Sequence, residues 1–127
     1  MEITFLIGRI IFGGYFVYNG YSHIKHLENT AGYAASKGVP MPKLAVVGTG
    51  ILLLLGGLSV ITGLYTCIGL VLLLVFLVPT TFQMHQFWKM SDPMQKMGEK
   101  IQFTKNLALI GAVLMLFSLA APWPMLF

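Results

Sequence analysis

Residues 44–88 read LAVVGTGILLLLGGLSVITGLYTCIGLVLLLVFLVPTTFQMHQFW, 45 consecutive positions without an Asp, Glu, Lys or Arg. Lys43 and Lys89 stand at its two ends. A bilayer core about 30 Å thick takes roughly 20 apolar residues per helix, so this stretch has the length of two crossings joined by a tight turn. Backbone N–H and C=O groups have no water to bond in hydrocarbon, which makes both segments helical. The stretch predicts helices over 44–64 and 66–84, with Gly63-Leu64-Tyr65-Thr66 as the turn.

Working outward, the flanks repeat the pattern. Residues 3–22 form one further apolar run and 103–121 another, the latter stopped by Pro122 and Pro124. The whole chain is 57% hydrophobic and 9% charged, against about 25% charged in soluble domains. The expected fold is all-α: a polytopic membrane protein, a four-transmembrane-helix bundle over 1–127 as a single transmembrane domain. Short amphipathic helices are expected in its two polar loops. Asn29 or Thr30 can cap one, ended by Gly38. In the other, Met90, Met94, Met97 and Ile101 recur at helical spacing among Lys89, Asp92, Lys96, Glu99 and Lys100. The N-terminal run, with Glu2 where a basic segment would stand and no small-residue cleavage site after it, reads as a retained helix.

Charge placement sets the expected direction. Lys25, Lys37, Lys43, Lys89, Lys96, Lys100 and Lys105 all fall on or beside loops 23–43 and 85–102, whereas the other side carries Arg9 and Glu2. The positive-inside rule makes those loops cytoplasmic and places both termini outside. The net charge of +4 is this topological signal spread over membrane-edge loops, and gives no nucleic-acid site.

Polar residues inside apolar helices carry a free-energy cost and mark sites. Tyr15, Asn19, His23 and His26 share one face of the first helix, at spacings of four, four and three. Thr81 and His85 on the third, and Gln102 and Asn106 on the fourth, reach the same level. Together they predict a polar pocket near the cytoplasmic edge, with Tyr15, Asn19, His23, His85, Trp88, Gln102 and Asn106 as candidate ligand-binding residues. Pro79 removes a helix hydrogen bond one turn and a half before His85, and either simply kinks the helix or aims His85 inward. Thr49, Gly56 and Gly63 recur at heptad spacing, with Ser59 beside them, a small-residue seam suited to packing in the bundle or to subunit contact. Arg9 either snorkels or meets a buried partner, such as the C-terminal end of a neighbouring helix or an anionic ligand.

The chain lacks CxxC, HExxH, a phosphate-binding loop and paired carboxylates. Hydrolytic, thiol–disulfide and zinc chemistry are therefore not expected of it. Its single cysteine, Cys67, leaves no internal disulfide. Met90, Met94 and Met97 sit on an ordinary apolar stripe, so the expected metal complement is none.

Several segments resemble the DoxX family of small prokaryotic membrane proteins. They are Gly8-Arg9-Ile10-Ile11-Phe12-Gly13, Tyr33-Ala34-Ala35-Ser36-Lys37-Gly38-Val39-Pro40, Gly56-Gly57-Leu58, His85-Gln86-Phe87-Trp88 and Lys105-Asn106-Leu107-Ala108-Leu109. The resemblance implies a four-helix bundle in the inner (cytoplasmic) membrane. It also implies association with quinone-linked oxidoreductases in some members and with stress resistance in others. It marks Arg9, the 33–40 loop, His85, Trp88, Lys105 and Asn106.

Two functions follow as expectations. The first is a redox-associated membrane subunit with no intrinsic cofactor. It would bind a quinone or other lipophilic ligand in the polar pocket and take electrons from a partner subunit. The second is a non-enzymatic scaffold or stress-related subunit, or a small-molecule transport protein, with homo-oligomerisation through Arg9 and the Thr49–Gly56–Gly63 seam.

Overall fold

The computed structural model describes residues 3–119, and these form five α-helices and one 3-10 turn. Helix α1 runs Ile3–Lys25, α2 Leu27–Ser36, α3 Pro42–Thr62, α4 Thr66–Met84 and α5 Pro93–Phe117, with the 3-10 turn at Phe87–Lys89. The expected stop of the last helix at Ala121, before Pro122 and Pro124, lies outside the described residues. Three helical spans are long and apolar enough to cross a bilayer: Pro42–Thr62, Thr66–Lys89 and Pro93–Phe117. Helix α1 has the length, at 23 residues, but Arg9, Asn19 and His23 dilute its apolar character and it is not one of the three.

The second loop differs from expectation. No separate interfacial helix precedes the last crossing. Pro93 stands in the first turn, and the Asp92 carboxylate accepts the Gln95 N–H at 3.2 Å as an N-cap. From there one helix runs 25 residues to Phe117. Nothing between Asp92 and Phe103 breaks it: Gly98 costs about 1 kcal/mol in a helix interior but does not end one. The methionine stripe is its exposed face, with Met94 84% and Met97 66% exposed.

The turn between α3 and α4 is made by left-handed residues. Gly63, at φ 82°, closes α3 by donating its N–H to the Ser59 carbonyl, and Tyr65, at φ 50°, opens α4. The Ser59 hydroxyl bonds the Leu64 and Tyr65 carbonyls, at 2.6 and 3.0 Å. Gly63 is thus a helix stop rather than a packing position.

Helices α1 and α3 make the closest and most extensive contact. A Cβ added at Gly13 would stand 2.7 Å from the Gly57 carbonyl oxygen, and one at Gly57 would stand 2.6 Å from the Gly13 carbonyl oxygen. Gly20 meets the Gly50 carbonyl at 2.7 Å in the same sense. Two glycine pairs seven residues apart therefore let the two backbones touch. Gly56 faces the other way, where a Cβ would collide with Leu73 of α4 at 2.7 Å. The core follows from these approaches: Phe16, Leu53, Val60, Leu70, Leu73, Leu77 and Val113, all buried. A smaller cluster of Ala31, Ala34 and Val46 seats α2 over the start of α3.

Arg9 is 2% exposed. Its Nε donates to the Val60 carbonyl at 3.0 Å and its Nη2 to the Ile61 carbonyl at 3.1 Å. Those carbonyls belong to the last turn of α3, which has no helical N–H to bond them. A cation there also meets the negative end of the helix dipole. Of the alternatives left open by the sequence, Arg9 takes the buried C-terminal end of a neighbouring helix, and its guanidinium lies 5.3 Å from the Phe5 ring centroid.

Gly57→Ala should lower stability by about 1–3 kcal/mol, because the colliding atom is backbone and cannot turn aside. Gly8→Ala, with nothing within 4 Å of the new methyl, should be neutral or slightly stabilising. Thermal unfolding in detergent compares the two; equal melting temperatures would refute the close α1–α3 approach.

Candidate functional site

Side chains from α1, α2, α3, α4 and α5 enclose a cavity of about 380 Å³ at the end of the bundle where α1 and α4 finish and α5 begins. Tyr15, Asn19 and His23 reach it from α1 because four-residue steps keep one helical face inward. Gln102 and Asn106 reach it from α5 by the same rule, and His85 enters just past the end of α4. Six of the seven candidate ligand-binding residues thus line one space. The seventh, Trp88, lies elsewhere: it stacks edge-on against Phe87 and Phe103, with centroids 5.3 and 5.5 Å away. His26 is exposed at the start of α2.

The walls are mainly apolar, with Leu53, Phe76, Leu77 and Leu109 among them. The polar groups divide into those tied down by protein and those left to the cavity. The Asn19 amide donates to the Tyr15 carbonyl one turn back, at 2.7 Å. His23 Nδ1 lies 3.3 Å from the Val46 carbonyl and 3.2 Å from Thr49 Oγ1, with its ring edge-on to Phe76. Thr49 is therefore a support for His23, not part of a seam with Gly56 and Gly63. Lys105 Nζ donates to the Tyr15 hydroxyl at 2.8 Å, linking α5 to α1 at the cavity's edge. Thr81, fully buried, is satisfied by the Leu77 carbonyl at 2.6 Å.

Asn106 is among the groups left to the cavity. It is 5% exposed, it lines the cavity, and its amide bonds no described residue. Among the described residues no side-chain polar atom fully closed to solvent lacks a partner, so this amide opens onto the cavity. A primary amide offers two donors and an acceptor. It is nearly enclosed among apolar walls, where an unmade hydrogen bond is costly.

Glu99 organises the wall toward the loops. Its Oε1 accepts the Tyr33 hydroxyl at 2.7 Å, and its Oε2 lies 3.2 Å from Lys37 Nζ and 3.3 Å from His85 Nδ1. Lys37, His85 and Glu99 side chains are each only 12–14% exposed. The loop is tied a second time by Gln83, whose amide donates to the Lys37 carbonyl at 2.6 Å. Burial, reinforced by the neighbouring Glu99 carboxylate, pushes the Tyr33 phenol well above its ordinary value. Glu99 was read from the sequence as a solvated residue of an interfacial helix. With α5 continuous, Glu99, Gln102 and Asn106 fall at i, i+3 and i+7 on one face. That periodicity was the available signal, and it was hidden by starting the helix near Phe103.

A family model described as DoxX matches residues 4–86. The inner membrane protein YphA of Escherichia coli (strain K12) is 29% identical over 115 residues, covering 90% of this chain and 81% of its own. No solved structure matches. The family model spans Tyr33, Lys37 and His85, while Glu99 and Asn106 lie beyond its end.

Glu99→Ala should free the 37–41 loop and leave Lys37 without its carboxylate, at a cost of about 1–3 kcal/mol; faster tryptic cleavage after Lys37 reads this directly. Tyr33 contributes a separate pH dependence. Its folded value is raised, so its stabilisation is fully present below the unfolded tyrosine value of about 10 and is lost as pH rises beyond it. The melting-temperature gap between wild type and Tyr33→Phe should hold steady from neutral pH and narrow above that point.

Proposed function

The chain belongs to the DoxX family, and on that footing we propose that it is a multi-pass inner-membrane protein holding a quinone-like or similar lipophilic ring ligand in the cavity beneath Asn106. The observation that carries this reading is the cavity itself: about 380 Å³, walled by apolar side chains, with one nearly buried amide that no described residue satisfies. Sites for small ligands combine apolar walls with a few placed polar groups in this way. A ring carbonyl or hydroxyl would meet the Asn106 amide, with Gln102, Lys105 and His85 at the same level, while the ring lay against Phe76 and Leu109.

Helix α1 runs antiparallel to α3 along its whole length, with Arg9 at Val60 and Ile61, Gly13 at Gly57, Gly20 at Gly50 and His23 at Val46. We therefore take α1 as a fourth crossing beside α3. The lysine-bearing loops are cytoplasmic by the positive-inside rule, and the α3–α4 turn is outside. The relative's name, an inner membrane protein, agrees with this location. Any electrons delivered to the ring would come from a partner subunit, since this chain carries no cofactor motif of its own. The competing scaffold reading loses its candidate contacts: Arg9 and Gly56 are both engaged within the fold.

Two measurements test these assignments. Binding of a short-chain benzoquinone to purified protein should weaken about tenfold or more in Asn106→Leu; unchanged affinity, or no binding by wild type, would reject the site. For orientation, a membrane-impermeant maleimide should label exposed Cys67 in intact cells. Lys96→Cys in a Cys67→Ala background should react only after permeabilisation, and the reverse pattern would invert the topology.

A further inference from the structure

The Glu99 cluster fixes which proton the His85 ring carries. Glu99 lies against the Lys37 ammonium and accepts from the Tyr33 hydroxyl, so its carboxylate is ionised and can only accept hydrogen bonds. The contact at 3.3 Å with His85 Nδ1 is therefore an N–H donated by the imidazole. In the neutral ring the other nitrogen, Nε2, is then a bare acceptor. His85 lines the cavity and Glu99 does not. Glu99 instead lines a second hollow of about 480 Å³ with Tyr33, Lys37 and Gln95. The imidazole thus stands between a cavity built for a lipophilic ring and a carboxylate that would stabilise its protonated form.

The cavity's own charges point the same way. Its lining includes the Lys105 ammonium and no Asp or Glu. The charged groups around His85 are Glu99 and Lys105 of α5 and Lys37 at the end of α2. An anionic oxygen inside would meet one cation at the edge, the Asn106 donors, and no repelling carboxylate.

Given a ring ligand in that cavity, we propose that the favoured species is a hydroxylated ring, a quinol or phenol, and that His85 accepts its hydroxyl proton with Glu99 as the positioning residue. The O–H bond breaks, its electron pair stays on the ring oxygen, and the proton goes to His85 Nε2. The resulting imidazolium is held through Nδ1–H by Glu99. The phenolate is held by Lys105 and the Asn106 amide. No oxidant is needed for this step. It leaves the ring in the electron-rich anionic form that a separate redox partner could oxidise.

The probe is 4-nitrophenol, whose ionised form absorbs at longer wavelength, with 4-nitroanisole as the companion that has no proton to lose. Both are titrated onto the full chain in detergent, with protein-free micelles as the reference. Bound nitrophenol should ionise about one pH unit lower than in empty micelles. Glu99→Gln should abolish that shift while retaining nitroanisole affinity, His85→Gln should abolish it, and Glu99→Asp should restore part of it. Lys105→Met, at an exposed position, should reduce the shift and carries the test if the buried variants do not fold. An absent or upward shift in wild type overturns the proposal, as does a downward shift untouched by these substitutions. Failure of wild type to bind either probe instead overturns the ligand cavity itself.

Discussion

The contact of α1 with α3 through Gly13–Gly57 and Gly20–Gly50 sets the dimensions of everything around it. Lipid tails are as apolar as leucine, so helices in a membrane gain little from burying apolar surface against each other. What holds them is close van der Waals contact and hydrogen bonds that have no better alternative. Two glycine pairs give the contact. The Arg9 guanidinium gives the hydrogen bonds, satisfying the Val60 and Ile61 carbonyls that end α3. An arginine at this depth is otherwise a liability. Here its cost and that of the two carbonyls left over at the helix end offset each other.

That contact is also what leaves room at the opposite end. The glycine pairs bring the backbones together from Gly13 to Gly20, and beyond Gly20 the larger His23 rests on Val46 and Thr49. Helix α5 packs against α4 rather than extensively on α1. At the level of Tyr15 it reaches α1 through the long Lys105 side chain. The space between is the cavity. Large side chains such as Phe5, Phe12 and Phe117 fill the corresponding volume toward the other end of the bundle. The polar residues therefore collect where packing is loosest, and each needs a partner from protein, water or ligand.

Much of this was legible in the chain. The charge-free stretch from Leu44 to Trp88 announced α3 and α4 with bounds correct to about two residues, because in hydrocarbon the backbone has no alternative to helix. The four-residue spacing of Tyr15, Asn19 and His23 announced a face, and that face lines the cavity. Two things were not legible. The glycine seam was sought within α3 at Gly56 and Gly63, whereas the contact pairs Gly50 and Gly57 with Gly13 and Gly20 of α1. A one-residue change of phase on a helix moves a seam by about 100°, and only the partner helix says which phase is used. Glu99 was hidden for another reason. A charged residue among lysines and methionines reads as solvated surface. What reverses that reading is Tyr33 and Lys37, brought back over the membrane edge by α2 from more than sixty positions away.

The two features share one logic. Arg9 and Glu99 lie toward opposite ends of the bundle, and each joins a helix to a segment distant in sequence. Arg9 closes its end completely: its donors meet carbonyls that would otherwise be unpaired, and it is left 2% exposed. Glu99 closes its end incompletely. Its carboxylate gathers Tyr33, Lys37 and His85, but the His85 ring keeps a second nitrogen that the carboxylate cannot reach. An ionised acceptor on one edge of an imidazole holds the ring's N–H on that edge and leaves the other nitrogen a bare acceptor. A purely structural ion pair between Lys37 and Glu99 would need no histidine beside it. The histidine's place in the cavity wall turns a brace for the loop into the proton acceptor proposed for that cavity.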